Sequence, residues 1–171
     1  MMKKSMTLIY KIAVLFILST VSCKGKEKEI VAPQSGTDIE KVQLTDLNGQ
    51  LLNIKQYAGK TVFINFWATW CKPCIAEMPS IEKAKNKLSD QNIVFLLASN
   101  ESIPEIQDFK NSNTYTSTYL RIENMEALNI QAIPTTYIFN PQGKLVFSEM
   151  GYRNWDDSAN INLILKIVKI K

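Results

Sequence analysis

The sequence predicts an α/β domain: a mixed central β-sheet flanked by helices, with an N-terminal β-hairpin and an insertion after the second core strand. Three observations predict it. Thr61–Trp67 ("TVFINFW") and Asn92–Ser99 ("NIVFLLAS") are apolar almost throughout and rich in β-favouring residues, as strands buried on both faces are. Between them Ile75, Met78, Ile81, Ala84 and Leu88 recur at three- and four-residue steps, the period of a helix. Further on, "TTYIFN" (Thr135–Asn140), the turn "NPQG" and "KLVFSEM" (Lys144–Met150) make a later hairpin.

Taken in order, alternation over Lys41–Leu47, then Asn48-Gly49 and the pair Leu51-Leu52, signals the first hairpin. "NIKQYAGK" is a short helical turn ending at Gly59. The first buried strand leads into a helix from Cys74 to about Leu88, which Pro79 is expected to kink or restart. Strand, helix and strand with a crossover of this length imply a right-handed parallel unit. Residues 100–131 form the insertion, with a helix at Ile103–Lys110, a strand near Tyr115–Arg121 and a short helix near Asn124–Leu128. A last helix from Trp155 to about Ile170 carries Ile161, Ile164, Leu165 and Val168 on one face. Helices are therefore expected on both faces of the sheet.

The 171 residues, 46% hydrophobic and 21% charged, suit one globular domain. The N-terminus places Lys3, Lys4 and Lys11 before an apolar stretch, Ile12–Val21, and then Ser22-Cys23. That stretch is about half the ~20 residues a membrane-spanning helix needs, and its length fits a secretory h-region. It resembles a lipoprotein signal with cleavage before Cys23 and acylation of its thiol, although Thr20 departs from the usual leucine. Ordinary signal cleavage and an uncleaved anchor are the alternatives, and all three put the domain outside the cytoplasm. The expected division is a signal peptide over 1–22, a lipidated Cys23 with a flexible tether over 23–38, and the folded domain over 39–171. Removing residues 1–22 lowers the formal charge from +4 to about +1, so nothing electrostatic points to nucleic acid. The absence of histidine excludes imidazole bases, Cys-His dyads and every His-containing metal site.

If Cys23 carries lipid, Cys71 and Cys74 remain as a pair, in surroundings that tend to oxidise thiols. Four readings compete for Cys71-Lys72-Pro73-Cys74. A zinc site needs about four ligands, which this chain does not offer. An inert staple across so short a loop contributes little chain-entropy stabilisation. Coincidentally adjacent core cysteines are the third. A redox couple at a strand-to-helix turn is favoured by position. Cys71 precedes the helix, so unpaired N–H groups and the helix dipole stabilise its thiolate, and Pro73 suits a first turn. Cys71 is then expected to be exposed and nucleophilic, with Cys74 shielded and acting second.

Glu77 lies three places after Cys74 on the same helix face, where a partly buried carboxylate could hold the proton released by Cys74; a solvated glutamate is the alternative. Asn65 reads as a hydrogen-bonded core amide near the pair. Trp67 is expected in the core and Trp70 as a substrate-facing wall. A cis Ile133–Pro134 bond would expose the Ile133 backbone to an extended substrate segment, against the plainer choice of a turn proline.

Trp67-Ala-Thr-Trp70-Cys71-Lys-Pro73-Cys74, followed by Glu77 and Pro79 and a distant Ile133-Pro134-Thr135, resembles the thioredoxin superfamily. More narrowly, residues 40–170 look like the TlpA/ResA-like extracytoplasmic thiol–disulfide oxidoreductases. The resemblance implies a thioredoxin-like fold, Cys71 as attacking and Cys74 as resolving thiol, Glu77 as the associated acid and Pro134 as the cis-proline. It also implies protein-disulfide substrates, service in cytochrome c maturation, spore formation or general disulfide reduction, a membrane thiol electron donor and no cofactor beyond the dithiol. Ile75 after Cys74 rules out a haem-attachment sequence. Two rivals stand beside it: a peroxiredoxin-like thiol peroxidase, weakened by Ala68 and by arginines only at 121 and 153, and a thiolate metal-binding carrier.

Overall fold

The computed structural model describes residues 38–170; the signal, Cys23 and tether expectations lie outside them except for Asp38, which bridges to Lys144. Six strands form one sheet: β1 (Leu44–Thr45), β2 (Thr61–Phe66), β3 (Ile93–Ser99), β4 (Thr118–Ile122), β5 (Thr135–Phe139) and β6 (Leu145–Met150). Their order is β1-β4-β3-β2-β5-β6. The central pairs β2–β3 and β3–β4 are parallel, whereas β1, β5 and β6 run antiparallel to their neighbours. The sheet is mixed because the helical crossover makes a parallel pair and the short "NPQG" turn can only make an antiparallel one.

Three α-helices complete the domain: α1 (Lys72–Lys87), α2 (Ile103–Asn111) and α3 (Ser158–Val168). α1 runs uninterrupted through Pro79, so no restart occurs there. α2 begins at a capping box formed by Ser102 and Glu105. α3 starts later than Trp155 because Asp157 caps it, accepting the Asn160 N–H at 2.8 Å, which leaves Trp155 in the core.

One core cluster joins Phe63, Phe95, Leu97 and Ile138 to side chains of all three α-helices. The opposite face carries Val62, Ile64, Phe66, Leu96 and Phe139, and 3-10 turns at Ile39–Lys41, Ile54–Tyr57 and Glu126–Leu128 pack there. Helical cover is thus two-sided only when these turns are counted. Gly59, at φ 79°, follows the second of them. The first hairpin also departs from expectation. Its turn closes, with Gly49 N–H on the Asp46 carbonyl at 3.0 Å, but the return leg is a single Thr45–Leu51 bridge. On their other side Leu44 and Thr45 pair with Ile122 and Arg121 of β4, which draws the inserted segment into the sheet.

Register gathers one rim. Phe66 pairs with both Ala98 and Thr135, and Thr135 pairs with Met150. Residues 67–71, 100–102, 132–134 and 151–153 therefore leave the sheet from the same end.

Candidate active site

At that rim β2 gives way to a turn. Trp67 N–H still reaches the Ala98 carbonyl at 3.0 Å, and Cys71 N–H closes on the Ala68 carbonyl at 3.1 Å. Cys71 is the N-cap of α1, its Sγ accepting the Cys74 N–H at 3.3 Å. Pro73 occupies the first turn, where its missing N–H costs nothing. A disulfide joins Cys71 to Cys74 with the Cα atoms 5.3 Å apart. Both sulfurs thus sit at the positive end of a 16-residue helix.

The expected exposure of Cys71 needs correction. Cys74 is fully buried, and Cys71 keeps only 4% of its surface accessible. Capping is the reason: the sulfur turns back under the first turn toward the Cys74 N–H instead of outward. Trp70 beside it is 71% exposed, while Trp67 lies in the core, as expected, against Phe109 and Tyr119.

Glu77 is completely buried, so it is not a solvated helix glutamate. Its Oε1 accepts from the Trp155 indole N–H and from Asn65 Nδ2 at 3.4 Å. Oε2, like Asn65 Oδ1, has no hydrogen-bond partner. Burial raises the Glu77 pKa to about 7, against the opposing effects of the Trp155 indole and of the Arg153 backbone and charge. Asn65 is the core amide expected, with Nδ2 also donating to Thr136 Oγ1 at 3.0 Å. Ser80 fastens the arrangement: its Oγ accepts the Trp155 backbone N–H at 3.0 Å and donates to the Glu77 carbonyl at 2.7 Å.

The Ile133–Pro134 bond is cis. Continuing the β2–β5 register by one step sets Pro134 opposite Trp67, four residues before Cys71. The Pro134 carbonyl accepts the Gly151 N–H at 2.7 Å, tying this element to β6. Ile133 is half-buried and makes none of the hydrogen bonds found among the described residues.

No local sequence pattern reveals Trp155 and Ser80 around Glu77, Thr136 on Asn65, or the contact between Thr69 and Glu101 before Cys71. Periodicity alone sets Trp155 at a helix start. The capping pattern Asp157-x-x-Asn160 is the signal that moves it out.

A dithiol at a helix start exchanges electrons with an incoming disulfide by thiolate attack. The class so defined is that of thioredoxin-fold thiol–disulfide oxidoreductases. The chain belongs to the redoxin family, whose profile matches residues 34–165, and it is a TlpA/ResA-like member of the thioredoxin superfamily. It is similar to thioredoxin-like protein YneN of Bacillus subtilis, 32% identical over 123 residues, 68% of this chain and 71% of that protein. Thiol-disulfide oxidoreductase ResA of Geobacillus kaustophilus is 30% identical over 155 residues, 84% of this chain and 87% of that one. In fold it is similar to the thioredoxin domain of a thiol-disulfide oxidoreductase from Bacteroides vulgatus. There the TM-score is 0.66 at 20% identity, over 80% of this chain and 99% of that one.

Proposed function

We propose that the protein reduces disulfides in protein substrates outside the cytoplasm, with Cys71 attacking and Cys74 resolving. The observation that carries this is the Cys71 sulfur at the N-cap of α1, in bonding reach of the Cys74 N–H and disulfide-linked to Cys74, with a buried carboxylate one helical turn on. In the reduced protein the helix N-terminus favours the Cys71 thiolate. That thiolate attacks one sulfur of the substrate disulfide, forming a mixed disulfide and expelling the other sulfur as a thiolate. Cys74 then gives its proton to Glu77 and attacks Cys71 Sγ, releasing the second substrate thiolate. Two electrons pass from the dithiol to the substrate, and the Cys71–Cys74 bond re-forms.

A carboxylate with a pKa near 7 suits the proton step, being able both to take and to return a proton near neutrality. Trp70, Ile133 and Pro134 form the substrate-facing wall, with the unpaired Ile133 backbone receiving an extended segment. Acylated Cys23 tethers the domain to the membrane, where a thiol carrier re-reduces the pair. Substrates of cytochrome c maturation fit the resemblance to ResA-like proteins. Among the described residues no helix is long and apolar enough to cross a membrane.

Two strains test the proposal. Cys71→Ala abolishes thiol-dependent insulin reduction, and Cys74→Ser expressed in the native cell accumulates mixed disulfides on Cys71. Retained turnover in the first, or direct peroxide consumption by the wild type without a disulfide substrate, would contradict it.

A further inference from the structure

β2 and β3 stay parallel and in register to Phe66 and Ala98, so the two chains leave the sheet side by side. Ser99 ends β3 fully buried, and two residues later Glu101 folds back over the turn that precedes Cys71. Its carboxylate forks across Thr69: Oε2 accepts the Thr69 backbone N–H at 2.7 Å and Oε1 the Thr69 hydroxyl at 2.5 Å. Oε2 also accepts the Ser99 hydroxyl at 2.9 Å, while Glu101 N–H donates to Ser99 Oγ at 3.2 Å, which sets the direction of the fork. Hydrogen bonds to an ionised acceptor are about twice as strong as neutral ones.

We propose that Glu101 is a positioning residue for Cys71, acting through Thr69; this rests on Cys71 being the attacking thiol of the reductase. Thr69 is the second residue of the Ala68–Cys71 turn. Holding both its N–H and its hydroxyl fixes the approach of the chain to Cys71, whose backbone at φ −83°, ψ 92° lets Sγ reach the Cys74 N–H. Without the fork nothing else in the described residues holds the Thr69 side chain, and the sulfur loses its fixed place at the helix end.

The sign of the effect separates positioning from simple charge. A carboxylate near Cys71 acting only as a charge disfavours the thiolate, so its removal would raise the reactivity of Cys71. A positioning carboxylate does the opposite. The test compares iodoacetamide alkylation of Cys71 against pH in reduced wild type, Glu101→Ala, Glu101→Gln and Thr69→Val. Glu101→Ala is expected to slow alkylation at neutral pH roughly three- to fivefold, the share of thiolate stabilisation that a helix N-terminus supplies. The pH midpoint moves up accordingly. Glu101→Gln keeps an acceptor for the Thr69 N–H and a partner for its hydroxyl, and so retains most of the wild-type rate. Thr69→Val loses the hydroxyl bond alone and falls between.

Alkylation of Glu101→Ala as fast as wild type, or faster, overturns the proposal. If that variant does not fold, Thr69→Val decides, and a wild-type rate there overturns it equally. Insulin turnover by the wild type is measured in parallel. Its absence would defeat the reductase assignment while the alkylation series still judged the Glu101 fork.

Discussion

Glu77→Gln in the oxidised protein isolates one buried carboxyl, because the disulfide keeps both cysteines from titrating. Glu77 is fully buried and its pKa is raised from 4.5 to about 7. Between those values the folded protein holds a proton that the unfolded chain has released, so stability falls as pH rises through the window. The stability is fully present below pH 4.5 and lost by the time pH passes 7. A displacement of this size corresponds to about 3 kcal/mol. Glutamine keeps an oxygen for the Trp155 indole and has no proton to lose. The assay is denaturant unfolding of both oxidised proteins at intervals from acid to mildly alkaline pH, taking the difference. Titrations of the other carboxylates cancel in that difference. Wild type is expected to lose about 3 kcal/mol relative to Glu77→Gln across the window, with a flat difference above it. A difference that does not change with pH, or that rises between 4.5 and 7, would refute the reasoning.

Trp155→Phe keeps a ring against Phe63 but removes the indole donor, and so moves the Glu77-dependent fall to higher pH, by about one unit or more, in the same unfolding series. Ser80→Ala strands the buried Trp155 backbone N–H and costs about 1–3 kcal/mol by denaturant unfolding. Trp70→Ala, at a 71% exposed position, changes stability by less than about 0.5 kcal/mol. With a protein disulfide it lowers kcat/KM roughly five- to tenfold, while a small disulfide is reduced at nearly the wild-type rate.

Local features are the ones legible in the sequence. The period of Ile75, Met78 and Ile81 and the position of Pro73 suffice to set a helix just after Cys71, and the structure has it there. Asn48-Gly49 forms its turn with Gly49 at φ 81° for the same reason. The pairing beyond that turn depends on a distant strand: Leu44 and Thr45 pair with β4, whose claim on them no local pattern reveals. Glu77 shows the same limit at the site. Its spacing from Cys74 is readable, but its complete burial depends on Trp155, 78 residues on. The misjudged exposure of Cys71 has a geometric origin, since composition does not tell whether an N-capping sulfur faces solvent or its own helix. Glu101 stays hidden in the sequence because its partner is brought alongside only by parallel strand register.

The most direct measurement is ultraviolet titration of the Cys71 thiolate in reduced Cys74→Ser protein, where one ionisable thiol remains in the domain. The account predicts a midpoint clearly below the ~8.5 of an ordinary cysteine, with complete alkylation at neutral pH. A midpoint at or above that value would mean that the start of α1 does nothing for the sulfur placed on it.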